Sequence, residues 1–190
     1  MIPYSRQNIN KSDIESVLEV LKSDYLTQGP KTPLFESKLS EKFDAKYAIA
    51  VNNATSALHL ACLSLGVTKN DIVWTSTITF VASANCARYC GAEIDLVDID
   101  SNSFNISTDK LEEKLKKAKK KNRLPKVLIP VHLAGNPCDM ESIYNLSKEY
   151  GFKIIEDASH AMGARYKNSK IGSCKYSDIT VFSFHPVKMI

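Results

Sequence analysis

Short apolar, β-rich runs alternate with helix-patterned stretches through most of this chain, and that alternation restricts its fold more than any other feature. The runs are 47–51, 72–75, 94–99, 127–133, 153–156 and 179–184. The stretches between them predict helices at 54–65, 80–90, 109–121 and 139–150. Strand and helix repeated in this way predict an α/β domain with a largely parallel sheet covered by helices. The segment Lys126-Val127-Leu128-Ile129-Pro130-Val131 is apolar almost throughout, as a strand buried on both faces should be. Two further helices are expected ahead of the alternation. Ser12-Asp13-Ile14-Glu15 reads as a capping box, with Ile14, Val17, Leu18 and Leu21 following at helical spacing. After a loop at Tyr25-Leu26-Thr27-Gln28-Gly29-Pro30, Thr32 and Pro33 read as the cap and first residue of a helix reaching about Phe43.

Of the 190 residues 44% are hydrophobic, enough for a substantial core and against disorder. The net charge is +4. Residues 110–126 hold nine basic side chains against Glu112 and Glu113, with no aromatic interleaved. That pattern predicts a solvated helix face, and no nucleic-acid partner is expected. Cys62, Cys86, Cys90, Cys138 and Cys174 are odd in number and form no CxxC pair, so reduced thiols are expected and no metal site. No run approaches the ~18 uncharged apolar residues of a membrane span, and the N-terminus lacks an apolar signal core. A cytoplasmic protein without a membrane partner is the expectation.

In open α/β sheets ligands gather at the carboxyl ends of the strands, and four places there carry polar or aromatic groups. Asn52-Asn53-Ala54-Thr55-Ser56 follows one run and opens a helix, where free N–H groups and the helix dipole favour a phosphate; a plain helix cap is the alternative. Phe80, after the run containing Trp74, is either a stacking face for a flat ring or a core aromatic. Glu156-Asp157-Ala158-Ser159-His160 places two acids at a strand exit, where packing gives carboxylates no reason to be. Ser183-Phe184-His185-Pro186-Val187-Lys188 places a lysine after another strand; it is either a surface lysine or, in a dry pocket, a nucleophile toward an aldehyde. Together these are the parts of a pyridoxal phosphate site. No GxGxxG follows any strand, which excludes a dinucleotide-binding Rossmann protein as far as sequence can.

The Glu-Asp-Ala-x-His-Ala and Ser-Phe-His-Pro-x-Lys blocks, in this order, make the chain resemble the nucleotide-sugar aminotransferases of the DegT/DnrJ/StrS class. Within that class, Ile2-Pro3-Tyr4-Ser5-Arg6-Gln7, Leu26-Thr27-Gln28-Gly29-Pro30 and Val131-His132-Leu133-Ala134-Gly135 are similar to the branch that aminates a UDP-linked 4-keto-6-deoxy sugar for pseudaminic acid. The resemblance implies the aspartate-aminotransferase fold (pyridoxal phosphate fold type I) with a mostly parallel central sheet, pyridoxal 5'-phosphate as cofactor, and L-glutamate as amino donor. It implies that Lys188 holds the cofactor covalently and moves the proton, and that Asp157 pairs with the pyridine nitrogen. Thr55, Ser56 and Ser183 would hold the phosphate, Phe80 would stack on the ring, and His160 would lie near the ring hydroxyl. Tyr4 and the loop of Leu26, Thr27, Gln28 and Gly29 would touch the sugar.

Members of this class are about twice as long and work as homodimers. The resemblance therefore implies that residues 1–190 are the N-terminal segment and most of the large cofactor-binding domain, truncated before the small C-terminal domain. Two other readings stay open: an inactive or dimerising remnant, favoured by the truncation alone, and another sugar aminotransferase of the same class; Lys188 argues against a third, a sugar 3-dehydratase of the same fold. The dehydratase carries His where this chain has Lys188.

Overall fold

The computed structural model describes residues 7–188. Among these the helices are α1 (Lys11–Leu21), α2 (Lys31–Phe43), α3 (Ala54–Ser64), α4 (Ala82–Tyr89), α5 (Thr108–Lys120) and α6 (Met140–Tyr150). The strands are β1 (Ile72–Ser76), β2 (Glu93–Val97), β3 (Val127–Ile129), β4 (Lys153–Asp157), β5 (Arg165–Tyr166), β6 (Ser169–Lys170) and β7 (Ile179–Val181). Five strands form one sheet in the order β2-β1-β3-β4-β7 with every pairing parallel. The expected α/β architecture is present, and all five carboxyl ends lie along one edge of the sheet. β5 and β6 form a separate two-residue antiparallel ladder that the apolar pattern does not announce.

Alternation along each strand divides the core between two helical layers. Val73, Val127, Ile129, Ile155 and Val181 pack with Leu58, Ala61 and Cys62 of α3 and with Ala82, Cys86 and Ala87 of α4. Trp74, Val97, Leu128 and Ile154 pack on the other face with Leu111 and Leu115 of α5 and Met140 and Ile143 of α6. Burying each of these larger side chains contributes roughly 2 kcal/mol, which holds helices this short against the sheet. The two acids that look alike in the sequence are thereby sent to opposite faces. Asp157 shares the α3/α4 face with Ile155, and Glu156 shares the α5/α6 face with Ile154.

Several expected elements differ in detail. The capping box of α1 is built by Asn10 and Asp13, whose side chains bond each other's backbone N–H groups; Ser12 lies inside the helix and bonds Asn10 Oδ1. No residue of α1 is buried, so its apolar stripe of Ile14, Val17, Leu18 and Leu21 faces outward. Segment 47–51 is not a strand: no described strand lies beside it to share a ladder, Ile49 is 81% exposed, and the Ala50 N–H is taken by Glu36 Oε1 at 2.8 Å. The strand expected at 127–133 stops at Ile129, because Pro130 has no N–H to donate. One parallel bridge, Val131 to Asp157, and a 3-10 turn, Leu133–Gly135, follow instead.

Candidate active site

The carboxyl ends of β1, β4 and β7 bring Phe80, Asp157, His160 and Lys188, four of the expected residues, into one region. Asp157 is the last residue of β4 and is buried. Its Oδ1 accepts the Ser159 N–H (3.2 Å) and the Ser159 hydroxyl (2.7 Å), and its Oδ2 accepts the Ser83 hydroxyl at 2.6 Å. A carboxylate so buried is tolerable because each oxygen has donors, some of them from a turn that the acid itself nucleates. Ser83 belongs to the first turn of α4, and its oxygen lies 2.7 Å from that of Thr79.

Phe80, next to Thr79, is 67% exposed. It is not a core aromatic, and its ring is open to a ligand. Lys188 approaches it from the segment after β7, with Nζ 5.8 Å from the ring centroid. The same Nζ stands 2.9 Å from His160 Nε2, while His160 Nδ1 accepts the Ala134 N–H at 3.3 Å. Lys188 is therefore half-buried and engaged, unlike a free surface lysine. Burial, and secondarily the charge of Lys188, push the His160 imidazole below its usual value, opposed by the Asp157 carboxylate. The turn that supplies Ala134 closes at Gly135, whose φ is +85° and where a Cβ would meet the His160 carbonyl oxygen at 2.9 Å. Only glycine fits that approach.

Thr55 and Ser56 are half-buried in the first turn of α3, where Asn53 Oδ1 accepts the Ser56 N–H at 2.8 Å. The cap is thus Asn53, which leaves both hydroxyls without a capping duty. Ser183 is buried, and its oxygen accepts the His185 N–H at 3.4 Å. Of the residues expected to touch a sugar, Tyr4 lies outside the described residues. Leu26, Thr27 and Gln28 are exposed, and Gln28 has φ +54°. Gly29 is half-buried where a Cβ would come within 2.7 Å of Tyr25 Cβ. No described hydrogen bond joins this loop to Lys188 or Asp157. It leads into α2, however, whose Phe35 ring meets Phe184 edge-on at 5.2 Å, and that contact anchors α2 beside the segment carrying Lys188.

Sequence reasoning passed over Ser83, Thr79 and Ser159. The usable signals were two hydroxyls four residues apart at a helix start, and a serine two residues after an acid, the spacing of a local side-chain turn. Glu156 carries no such role. It bonds His132, Ser177 and Thr180 on the far face of the sheet.

The DegT/DnrJ/EryC1/StrS aminotransferase family profile matches residues 7–190. The chain belongs to this family. It is 46% identical, over its whole length and 49% of the relative's, to the UDP-4-amino-4,6-dideoxy-N-acetyl-beta-L-altrosamine transaminase of Campylobacter jejuni serotype O:2. Its fold matches Helicobacter pylori PseC, an aminotransferase involved in the biosynthesis of pseudoaminic acid, with a TM-score of 0.88 and 35% identity over 98% of this chain and 48% of that one. It also matches the PLP form of the putative sugar aminotransferase Spr1654 of Streptococcus pneumoniae, with a TM-score of 0.86 and 33% identity over 98% and 50% of the two chains. The chain spans about half the length of the family members it matches. The α/β architecture with a parallel central sheet is accordingly that of the large domain of these aminotransferases. No helix among the described residues is long and apolar enough to cross a membrane.

Proposed function

We propose that this chain is the N-terminal segment and most of the large domain of a pyridoxal-phosphate-dependent aminotransferase that moves nitrogen from L-glutamate to a UDP-linked 4-keto-6-deoxy sugar. The observation that carries the reading is the meeting of Lys188 with His160 and the Phe80 ring, at the same strand ends where Asp157 is buried. The donor set fits the cofactor. Phe80 offers an open aromatic face, and Asp157 offers a carboxylate for a protonated ring nitrogen. Thr55 and Ser56 at the α3 N-terminus, with Ser183, offer hydroxyls and a helix dipole for a phosphate. His160 lies within reach of the Lys188 amine and would be the donor or acceptor for a ring hydroxyl beside it.

When bound, the cofactor supplies an electron sink in its pyridine ring. The chain's own residues do the remaining work. Asp157 would hold a proton at the ring nitrogen, and the burial of its carboxylate strengthens that interaction. Among the described residues, Lys188 is the amine placed over the Phe80 face; it would bond the cofactor at rest and carry the proton at the reacting carbon in turnover. His160 orients that amine through Nε2, and the Ala134 N–H fixes the opposite side of its ring. Lys188 rather than His at this position disfavours the dehydratase reading.

The sugar and the donor are the finer part of the proposal and rest on the similarity to the C. jejuni transaminase. A homodimer and a cytoplasmic location belong to the same reading. The dimer draws support from the outward apolar stripe of α1 and the exposed Tyr47 and Ile49, and the location from five free cysteines. The test is a product assay on the chain joined to the C-terminal half that its relatives carry, supplied with L-glutamate. Nitrogen transfer to a UDP-linked 4-keto-6-deoxy hexosamine is the expected result. Activity confined to dTDP-linked sugars would overturn the substrate while leaving the reaction class.

A further inference from the structure

We propose that Ser83, backed by Thr79, is a positioning residue that sets the Asp157 carboxylate so that a single acceptor direction, on Oδ2, remains for the ring nitrogen of the cofactor. An ionised carboxylate has about four lone-pair directions, two on each oxygen. The Ser159 N–H and hydroxyl take both directions on Oδ1, and the Ser83 hydroxyl takes one on Oδ2. Among the described residues, one direction is left without a donor. It suits a donor with a single hydrogen, such as a pyridinium N–H, and not a bidentate guanidinium.

The order of the hydroxyls follows from hydrogen counting. Ser83 has one O–H, which it gives to Asp157, since a carboxylate only accepts. The 2.7 Å contact between Thr79 and Ser83 then needs the Thr79 hydrogen, which Thr79 shares with the more distant Phe80 carbonyl oxygen at 3.2 Å. The chain therefore runs Thr79 to Ser83 to Asp157, and each donor polarises the next. Ser83 is completely buried, so no water replaces its hydroxyl cheaply. The chain also starts at the residue before Phe80, so it ties the residue that faces the ring to the acid that meets the ring's nitrogen. Glu156 also holds three donors, but on the face turned toward His132 and away from Ser83. The orientation of Asp157 rests on the geometry alone. The identity of the fourth partner rests on the cofactor reading above.

The experiment separates the two. In the cofactor-free full chain labelled with 13C-carboxyl aspartate, Ser83→Ala should displace the Asp157 carboxyl resonance while the other aspartate resonances stay in place. Thr79→Val, which keeps the shape at the outer end of the chain, should displace it less and in the same direction, and it serves as the readable variant if Ser83→Ala fails to fold. An Asp157 resonance unchanged in the variants would overturn the positioning role. Pyridoxal phosphate is then added as the probe, and Ser83→Ala should bind it about tenfold more weakly than the parent chain. Equal affinity would overturn the assignment of the fourth direction to the cofactor. A displaced resonance in Ser83→Ala together with a parent chain that binds no pyridoxal phosphate would overturn the cofactor reading and leave the orientation of Asp157 established.

Discussion

His132 Nε2 lies 2.8 Å from Glu156 Oε2, with both side chains buried, on the face of the sheet opposite Asp157. His132 Nδ1 accepts the Cys138 N–H at 3.1 Å, which assigns the ring hydrogen to Nε2 and makes His132 the donor. Ser177 and Thr180 donate to the other Glu156 oxygen. This pair fastens the start of the 132–138 loop to β4, and with it the turn that carries the Ala134 N–H to His160. Glu156 thus shapes the site from behind without entering it.

Glu156→Ala should accordingly cost about 3 kcal/mol of stability, because it leaves the buried His132 N–H without an acceptor and takes one from the half-buried Ser177 and Thr180 hydroxyls. Urea denaturation followed by circular dichroism reads the loss. Glu156→Gln, which keeps an acceptor and the volume, should lose clearly less. A cost near zero for Glu156→Ala would mean that water reaches this pocket.

The depressed His160 imidazole gives stability a pH dependence of known sign. Burial favours the neutral ring in the folded chain, so the unfolded chain binds the proton more readily, from its ordinary value of 6.5 downward. The contribution is complete above pH 6.5 and is lost as the pH falls toward the lower folded value. The urea midpoint of the parent chain should therefore fall more steeply between pH 7 and pH 5 than that of His160→Gln. Parallel profiles would contradict the burial argument.

Gly135→Ala should destabilise by about 1–3 kcal/mol, since it places a side chain at φ +85° and against the His160 carbonyl. Gly151→Ala serves as the control. It has a similar φ of +81° but open space at its Cβ, so it carries the backbone strain alone and should cost less. Equal costs would show that the approach to His160 contributes nothing.

Asp157→Asn, in the chain joined to the C-terminal half, should leave the fold in place and lower transamination on the order of a hundredfold or more. The fold survives because Ser83 can turn its hydroxyl and accept from the new amide while Ser159 keeps its acceptor. Turnover close to the parent's would remove Asp157 from the site.

Much of this was legible in the residues. The parallel sheet follows from continuous apolar runs separated by helical stretches, and Asp157, His160 and Lys188 stand out because they end such runs. Period-two alternation even contains the separation of Glu156 from Asp157, once Ile154 and Ile155 are given opposite faces. What stayed hidden depends on contacts distant in sequence. Nothing local to Ser83 marks it as a partner of an acid 74 residues later. Segment 47–51 has strand composition, but pairing is a property of neighbours, and no described neighbour is there. The strand expected through Leu133 ended early at Pro130, a stop that its missing N–H foretold and that apolarity masked. The true cap of α1 lay two residues upstream of the one expected, because Asn10 caps as well as Ser12 and the sequence holds both.

The most direct test of the account concerns Lys188. The chain joined to the C-terminal half of its relatives, incubated with pyridoxal phosphate and reduced with borohydride, should carry the cofactor fixed to a peptide containing Lys188. Lys188→Ala should lose that covalent label while retaining some cofactor through Thr55, Ser56 and Ser183. Label at another lysine, or equal labelling of Lys188→Ala, would contradict the assignment of the site.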